Sequence, residues 1–122
     1  LSLSGHWHIR GHGLWFITLK GSSPAIGWAG GIYHADWPEP ELGWSLFDDQ
    51  HEGQGIAAEA TIRARKALAE DCGVVSPISL IAPDNPRSAA LARRLGAQKG
   101  ASITLRGKPA DVYRHPDVRG NA

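Results

Sequence analysis

Asp48-Asp49-Gln50-His51-Glu52-Gly53-Gln54-Gly55-Ile56-Ala57-Ala58-Glu59-Ala60 joins an apolar run at residues 42–47 to a long alanine-rich run. Read physically, it is the end of a strand, a short polar turn with two glycines, and the first turn of a helix. Glycine lets the backbone approach something bulky and take dihedrals that a side chain forbids. The free N–H groups at a helix start face outward and favour an anion, and the helix dipole adds to the effect. The stretch reads as a phosphate-binding turn.

Three ligand motifs compete for it. A P-loop ends in Gly-Lys-Ser/Thr, whereas Gly55 is followed by Ile56 and Ala57, so that reading fails. Gly53-Gln54-Gly55-Ile56-Ala57-Ala58 matches the relaxed dinucleotide fingerprint G-x-G-x-x-A. That fingerprint follows its strand directly, however, and here five polar residues, 48–52, intervene. The third reading is Gln50-x-x-Gly53-x-Gly55, which resembles the pyrophosphate-binding pattern Q/R-x-x-G-x-G/A of the GNAT N-acetyltransferase superfamily. A helix-capping turn without a ligand is the bland alternative to all three.

The rest of the composition narrows the classes. The chain has 122 residues, enough for one domain with one core, and 42% are hydrophobic. A net charge of +1 gives no electrostatic reason to expect nucleic acid or an anionic membrane as a partner. No apolar run approaches the roughly 20 residues of a membrane span, and no signal peptide is visible. Cys72 is the sole cysteine, which fits a cytoplasmic protein without an intrachain disulfide. All five tryptophans precede residue 45, an aromatic layer for core packing or a substrate pocket. His6, His8 and His12 have a spacing that could hold a metal, but no carboxylate or cysteine joins them. Solvated histidines are the expectation, and no metal is expected. His51-Glu52 is not a zincin motif, since the second histidine would fall at Gly55.

In chain order, residues 1–12 are poorly patterned. Strands are expected at 14–19, 25–33 and 41–47, separated by turn residues and forming an antiparallel meander. The main helix is expected over 54–71, with Ala57, Ala60, Ala64, Ala67 and Leu68 on one side and Gly73 at its end. A short apolar strand at 77–82 then makes a parallel crossover pair with the third strand. Asn85 and Pro86 open a second helix as N-cap and first residue; it runs through Arg94 and stops at Gly96. Two strands, 98–105 and 111–115, follow, joined by a hairpin at Gly107-Lys108-Pro109.

The second helix carries Asn85-Pro86-Arg87-Ser88 and, further on, Leu95-Gly96-Ala97. This resembles the N-x-x-S/A…L-G-F/A motif of the same acetyltransferases, in the right order after the glycine turn. Glu41-Leu42-Gly43-Trp44, with Gly55 and Glu59-Ala60, further resembles the subgroup that acetylates the N-termini of ribosomal proteins. The resemblance covers roughly 14–115. It implies an α/β (α+β) fold: a mixed, mostly antiparallel central sheet with a splayed parallel strand pair and two main helices. The family's leading strand and helices are expected to be missing, making 1–122 a single, N-terminally incomplete acetyltransferase domain. Many members carry a tyrosine seven residues after the asparagine as acid for the leaving thiolate. That position is Ala92 here, and Ser88 matches the serine of the ribosomal-type subgroup.

The resemblance implies acetyl-CoA as co-substrate and direct transfer to a primary amine, either a peptide N-terminus or a small molecule; it also admits a homodimer. Gln50, Gly53, Gln54, Gly55, Ile56 and Ala57 would hold the pyrophosphate. Backbone groups of Leu46 and Phe47 would pair with the pantetheine arm, and Asn85 and Ser88 would complete the cofactor site. Ser88 is the candidate acid. Strand alternation sets Glu41 apart from Leu42 and Trp44, making Glu41 the candidate base or amine-orienting group, with His34 behind it. A CoA-binding module without catalysis and a dinucleotide-binding domain are the alternatives.

Overall fold

A computed structural model describes residues 2–7, 13–18, 26–33, 35–47 and 55–117. Its elements in order are β1 (Ser2–Trp7), β2 (Gly13–Thr18), β3 (Gly27–Ile32), β4 (Glu41–Leu46), α1 (Ile56–Cys72), β5 (Ile78–Ile81), α2 (Pro86–Arg94), β6 (Gln98–Leu105) and β7 (Lys108–Arg114). The strands form one seven-stranded sheet in the order β1-β2-β3-β4-β5-β7-β6. Neighbours are antiparallel except β4 and β5, which meet at a single bridge, Glu41 opposite Ile78. The mixed sheet with a splayed parallel pair and two helices is therefore as expected.

Two segments differ from the sequence reading. Residues 2–7 are a strand, paired with β2 from Ser2↔Thr18 to Trp7↔Gly13. Leu3 and Trp7 alternate with Ser2, Ser4 and His6 at the period of a strand, a signal the sequence reading passed over. The last hairpin turns at Arg106-Gly107, with φ of 52° and 78°, so Lys108 and Pro109 belong to β7. Two left-handed residues in a row match the right-handed twist of the flanking strands.

Both helices lie on the sheet face that carries Leu42. Ile17, Ala29 and Leu42 pack against Ile56, Ala60, Ala64 and Leu68 of α1. The buried stripe is thus 56, 60, 64 and 68 at helical spacing, while Ala57 and Ala67 are only partly buried. A second cluster joins Ile81 and Tyr113 to Ala92 and Ala97 around α2, and Trp44 packs against both clusters. Arg65 of α1 donates to the Leu95 carbonyl at 2.6 Å, tying the helices together. α1 ends at Gly73, left-handed at φ 72°, with the Val74 N–H returning to the Leu68 carbonyl. Among the described residues no helix is long and apolar enough to cross a membrane.

Candidate functional site

The site begins where β4 leaves β5. In an antiparallel pair the backbone groups of successive residues point to opposite sides. The Phe47 N–H donates to the Ile26 carbonyl at 2.8 Å, so Phe47 is turned towards β3. Leu46, Trp44 and Leu42 are turned the other way, into the gap between β4 and β5. The Leu42 carbonyl confirms this direction, because it accepts the Ser79 hydroxyl of β5 at 2.6 Å. The expected pairing role of Phe47 is corrected accordingly. Its N–H is committed to Ile26, and the residue is 57% exposed. Leu46 and Trp44 both line the larger cleft, beside the start of α1.

α1 opens on Gly55 at φ 75°, with no side-chain cap on its first turn. The amides of Ile56, Ala57 and Ala58 precede the first intrahelical bond, Glu59 N–H to the Gly55 carbonyl at 3.0 Å. They border a cleft of about 630 Å³ that runs between the end of β4, the start of α1 and one face of α2. Gln50, Gly53 and Gln54 lie outside the described residues, as does His34. A Cβ added at Gly55 meets nothing within 4 Å, so the barrier to substitution there is backbone conformation. A left-handed dihedral costs an L-residue about 1–2 kcal/mol. Gly55→Val is expected to weaken acetyl-CoA more than tenfold, about 1.4 kcal/mol. Calorimetry on the folded variant checks this, and unchanged affinity removes the turn from the site.

α2 forms the opposite wall. The Asn85 side chain accepts the Ser88 N–H at 3.2 Å, an N-cap that leaves Pro86 at the first position. Ser88, Leu91, Arg87 and Arg94 line the same cleft. The two arginines were missed by the sequence reading. Their signal was present: Arg87, Leu91 and Arg94 are spaced i, i+4, i+7, one helix face. Ala92, where a tyrosine would stand in many relatives, is fully buried against Ile81, Ala97 and Tyr113.

A second, smaller cleft of about 230 Å³ lies in the mouth of the splay, lined by Trp28, Ile32, Glu41, Gly43 and Leu80. Gly43 lets the Trp28 ring lie against the strand, since a Cβ there would stand 2.9 Å from it. Glu41 is 8% exposed and is no solvated strand-end carboxylate. Its Oε1 accepts Trp37 Nε1–H at 2.9 Å and its Oε2 accepts the Leu80 N–H at 2.8 Å. Burial pushes the carboxyl above the usual glutamate range, and the hydrogen bonds from Leu80 and Trp37 oppose that shift. The two clefts share Trp44, Asn85 and Ser88.

Behind the splay stands a buried polar chain. Arg65 Nη1 donates to His115 Nδ1 at 3.2 Å, and His115 Nε2 lies 2.8 Å from Ser79 Oγ. Since Ser79 donates to Leu42, the consistent proton order is Arg65 to His115, His115 to Ser79, Ser79 to Leu42. The imidazole is therefore neutral. Desolvation, with the charge of Arg65 beside it, pushes His115 down to about 4. Among the described residues no three His, Cys, Asp or Glu side chains gather as metal ligands, and the side chains of His6, His8 and His12 are not described.

A sheet split at one parallel junction, framed by a glycine-led helix start and a second helix, is an acetyltransferase architecture. The chain belongs to the GNAT family, whose acetyltransferase (GNAT) domain model matches residues 2–98. An acetyltransferase from Agrobacterium tumefaciens str. C58 superposes with a TM-score of 0.79 at 35% identity, over 90% of this chain and 64% of that one. A ribosomal-protein-S5-alanine acetyltransferase from Vibrio fischeri gives a TM-score of 0.75 at 16% identity, over 93% and 66%. AAC(6')-Ib, solved with ribostamycin and coenzyme A, gives 0.71 at 18% identity, over 93% and 71%. At those identities the last two share the fold. The chain spans about two-thirds of the length of the first of these proteins, 64%. No curated protein sequence matches it.

Proposed function

We propose that residues 1–122 form an acetyltransferase domain that moves an acetyl group directly from acetyl-CoA to a primary amine. The observation that carries this reading is the shared wall of the two clefts. The larger cleft, about 630 Å³, runs past the end of β4 and the start of α1, the smaller holds a carboxylate, and they meet at Trp44, Asn85 and Ser88. The pyrophosphate would lie at the first-turn amides of α1, with Arg94 of α2 lining the same cleft as a cation for further phosphate charge. The pantetheine would run along β4, where the Leu46 and Trp44 backbone faces the gap. A backbone N–H aimed there polarises the thioester carbonyl as negative charge develops on it. Glu41 would take the amine's proton, the nitrogen would attack the carbonyl carbon, and the C–S bond would break with the proton delivered to sulfur. The acceptor would be a peptide N-terminus or a small amine entering at the mouth. The neighbour solved with coenzyme A and an aminoglycoside supports a cofactor-plus-amine pair. The dinucleotide-binding alternative fails, because four antiparallel strands precede the glycine turn and that fold opens on a parallel unit.

The test is a melting shift with acetyl-CoA but not with NAD, followed by mass spectrometry of an amine panel. A shift without acetylated product in any amine leaves a CoA-binding module. Ser88 is tested within the same assay. A thiol resembling cysteine has a pKa of about 8.5, so its thiolate already leaves well. Ser88→Ala is therefore expected at the low end for general acid catalysis, roughly 10- to 100-fold in kcat. Its Kd for acetyl-CoA stays within about a factor of three. A variant that melts lower and turns over normally makes Ser88 a helix-start residue only.

A further inference from the structure

The β3–β4 connection is pinned from outside the splay. Arg106, in the β6–β7 turn, grips Asp36 with two parallel hydrogen bonds, Nε to Oδ2 at 2.7 Å and Nη2 to Oδ1 at 3.0 Å. The same guanidinium lies over the Trp37 ring, 4.6 Å from its centroid. Three residues on, Glu39 is held by both nitrogens of Arg114, which also donates to the Ser76 carbonyl at 2.8 Å. Exposed ion pairs contribute little by themselves. What the paired geometry gives is orientation, because a planar guanidinium fixes both a carboxylate and a ring. Arg106 is also the one described non-glycine residue at positive φ, 52°. Such strain persists where the surroundings over-determine it.

We propose that Trp37 is a positioning residue for Glu41: its indole N–H fixes one carboxylate oxygen, and Arg106 fixes the indole. The Leu80 N–H holds the other oxygen. Each Glu41 oxygen thus has one donor and a lone pair left for an incoming amine. This inference rests on the reading of Glu41 as base. The β6–β7 hairpin, remote in sequence, thereby sets how readily Glu41 ionises. Among the described residues, Glu41 is the single titratable group lining the smaller cleft. Asp36 and Arg106 stand around Trp37, Glu39 and Arg114 beside the loop, and His115 with Arg65 behind Ser79.

The test replaces Trp37→Phe, which keeps a ring beneath Arg106 and removes the donor, and separately Arg106→Gln on the exposed turn. The Glu41 titration is followed by carbon-13 NMR, beside the pH profile of kcat/KM and the KM for acetyl-CoA. Loss of a hydrogen bond to a carboxylate is expected to raise the Trp37→Phe titration by about one pH unit. The acid limb of the rate should move with it while the KM for acetyl-CoA holds; Arg106→Gln should shift both in the same direction by less. A Glu41 titration unmoved in folded Trp37→Phe overturns the proposal. If that variant does not fold, an unmoved titration in Arg106→Gln overturns it instead. If the titration moves and the rate profile does not, the contact stands and the base assignment falls.

Discussion

Glu41→Gln is expected to lower kcat with primary amines about 100-fold, the lower end of what a positioned base supplies. The rise of the rate with pH should flatten in the same variant. Burial raises the Glu41 carboxyl, so the wild-type limb attributable to it lies above the range of an exposed glutamate. In the variant that limb disappears and only the amine's own deprotonation remains. The same shift has a stability consequence. A group raised in the folded state contributes stability that is full below its unfolded value and lost as pH rises through the folded value. Glutamine removes that loss and forfeits one of the bonds to Trp37 and Leu80, worth about 1 kcal/mol. The two changes oppose each other, and the melting temperature at pH 7 should move by less than about 5 °C. Kinetics across pH and a melting curve separate the roles. A variant with an unaltered pH–rate profile makes Glu41 a structural acceptor for the splay.

A second large effect is expected on acidification. His115 is fully buried and neutral, pushed from an ordinary 6.5 down to about 4 by desolvation and by Arg65. The sign follows from the depressed value: the contribution is present above 6.5 and is lost as pH falls from there through about 4. A difference of that size corresponds to roughly 3 kcal/mol, a large part of the 5–15 kcal/mol typical of a whole domain. Urea midpoints measured at several pH values between 7.5 and 4 should fall steeply. His115→Gln keeps a side chain able to accept from Arg65 and donate to Ser79. It should be less stable at pH 7.5 and much flatter below. Equal slopes in the two proteins would rule out His115 as the acid-sensitive group.

Much of this arrangement was legible in the residues. Asn85-Pro86 announced both a cap and a helix start, and Gly55 and Ser88 fall on one cleft as the glycine turn and second helix implied. Those signals are local: a dihedral, a cap, a helical period. What escaped depends on contacts between distant segments. Trp37 acquires meaning when Arg106, seventy residues beyond the neighbouring Asp36, lies on its ring. Arg65 of α1 and His115, just past the end of β7, lie fifty positions apart. Phe47 shows a different limit. Which side of a strand an amide faces alternates with every residue, so a correct strand still leaves each hydrogen bond undecided until the register is known.

The lone bridge at Glu41 and Ile78 makes the sheet two leaves, β1–β4 and β5–β7–β6, bound along one spine by α1 and α2. The larger cleft is walled by the end of β4, the start of α1 and one face of α2. Between the leaves, past the bridge, the ties are side chains: the Glu41 carboxylate on the Leu80 amide and the Ser79 hydroxyl on the Leu42 carbonyl. Each leaf keeps its own ladder hydrogen bonds, and none of them crosses the gap. Two short polar stays span the gap itself, and substitution can lengthen or shorten them while both halves of the sheet keep their own pairing.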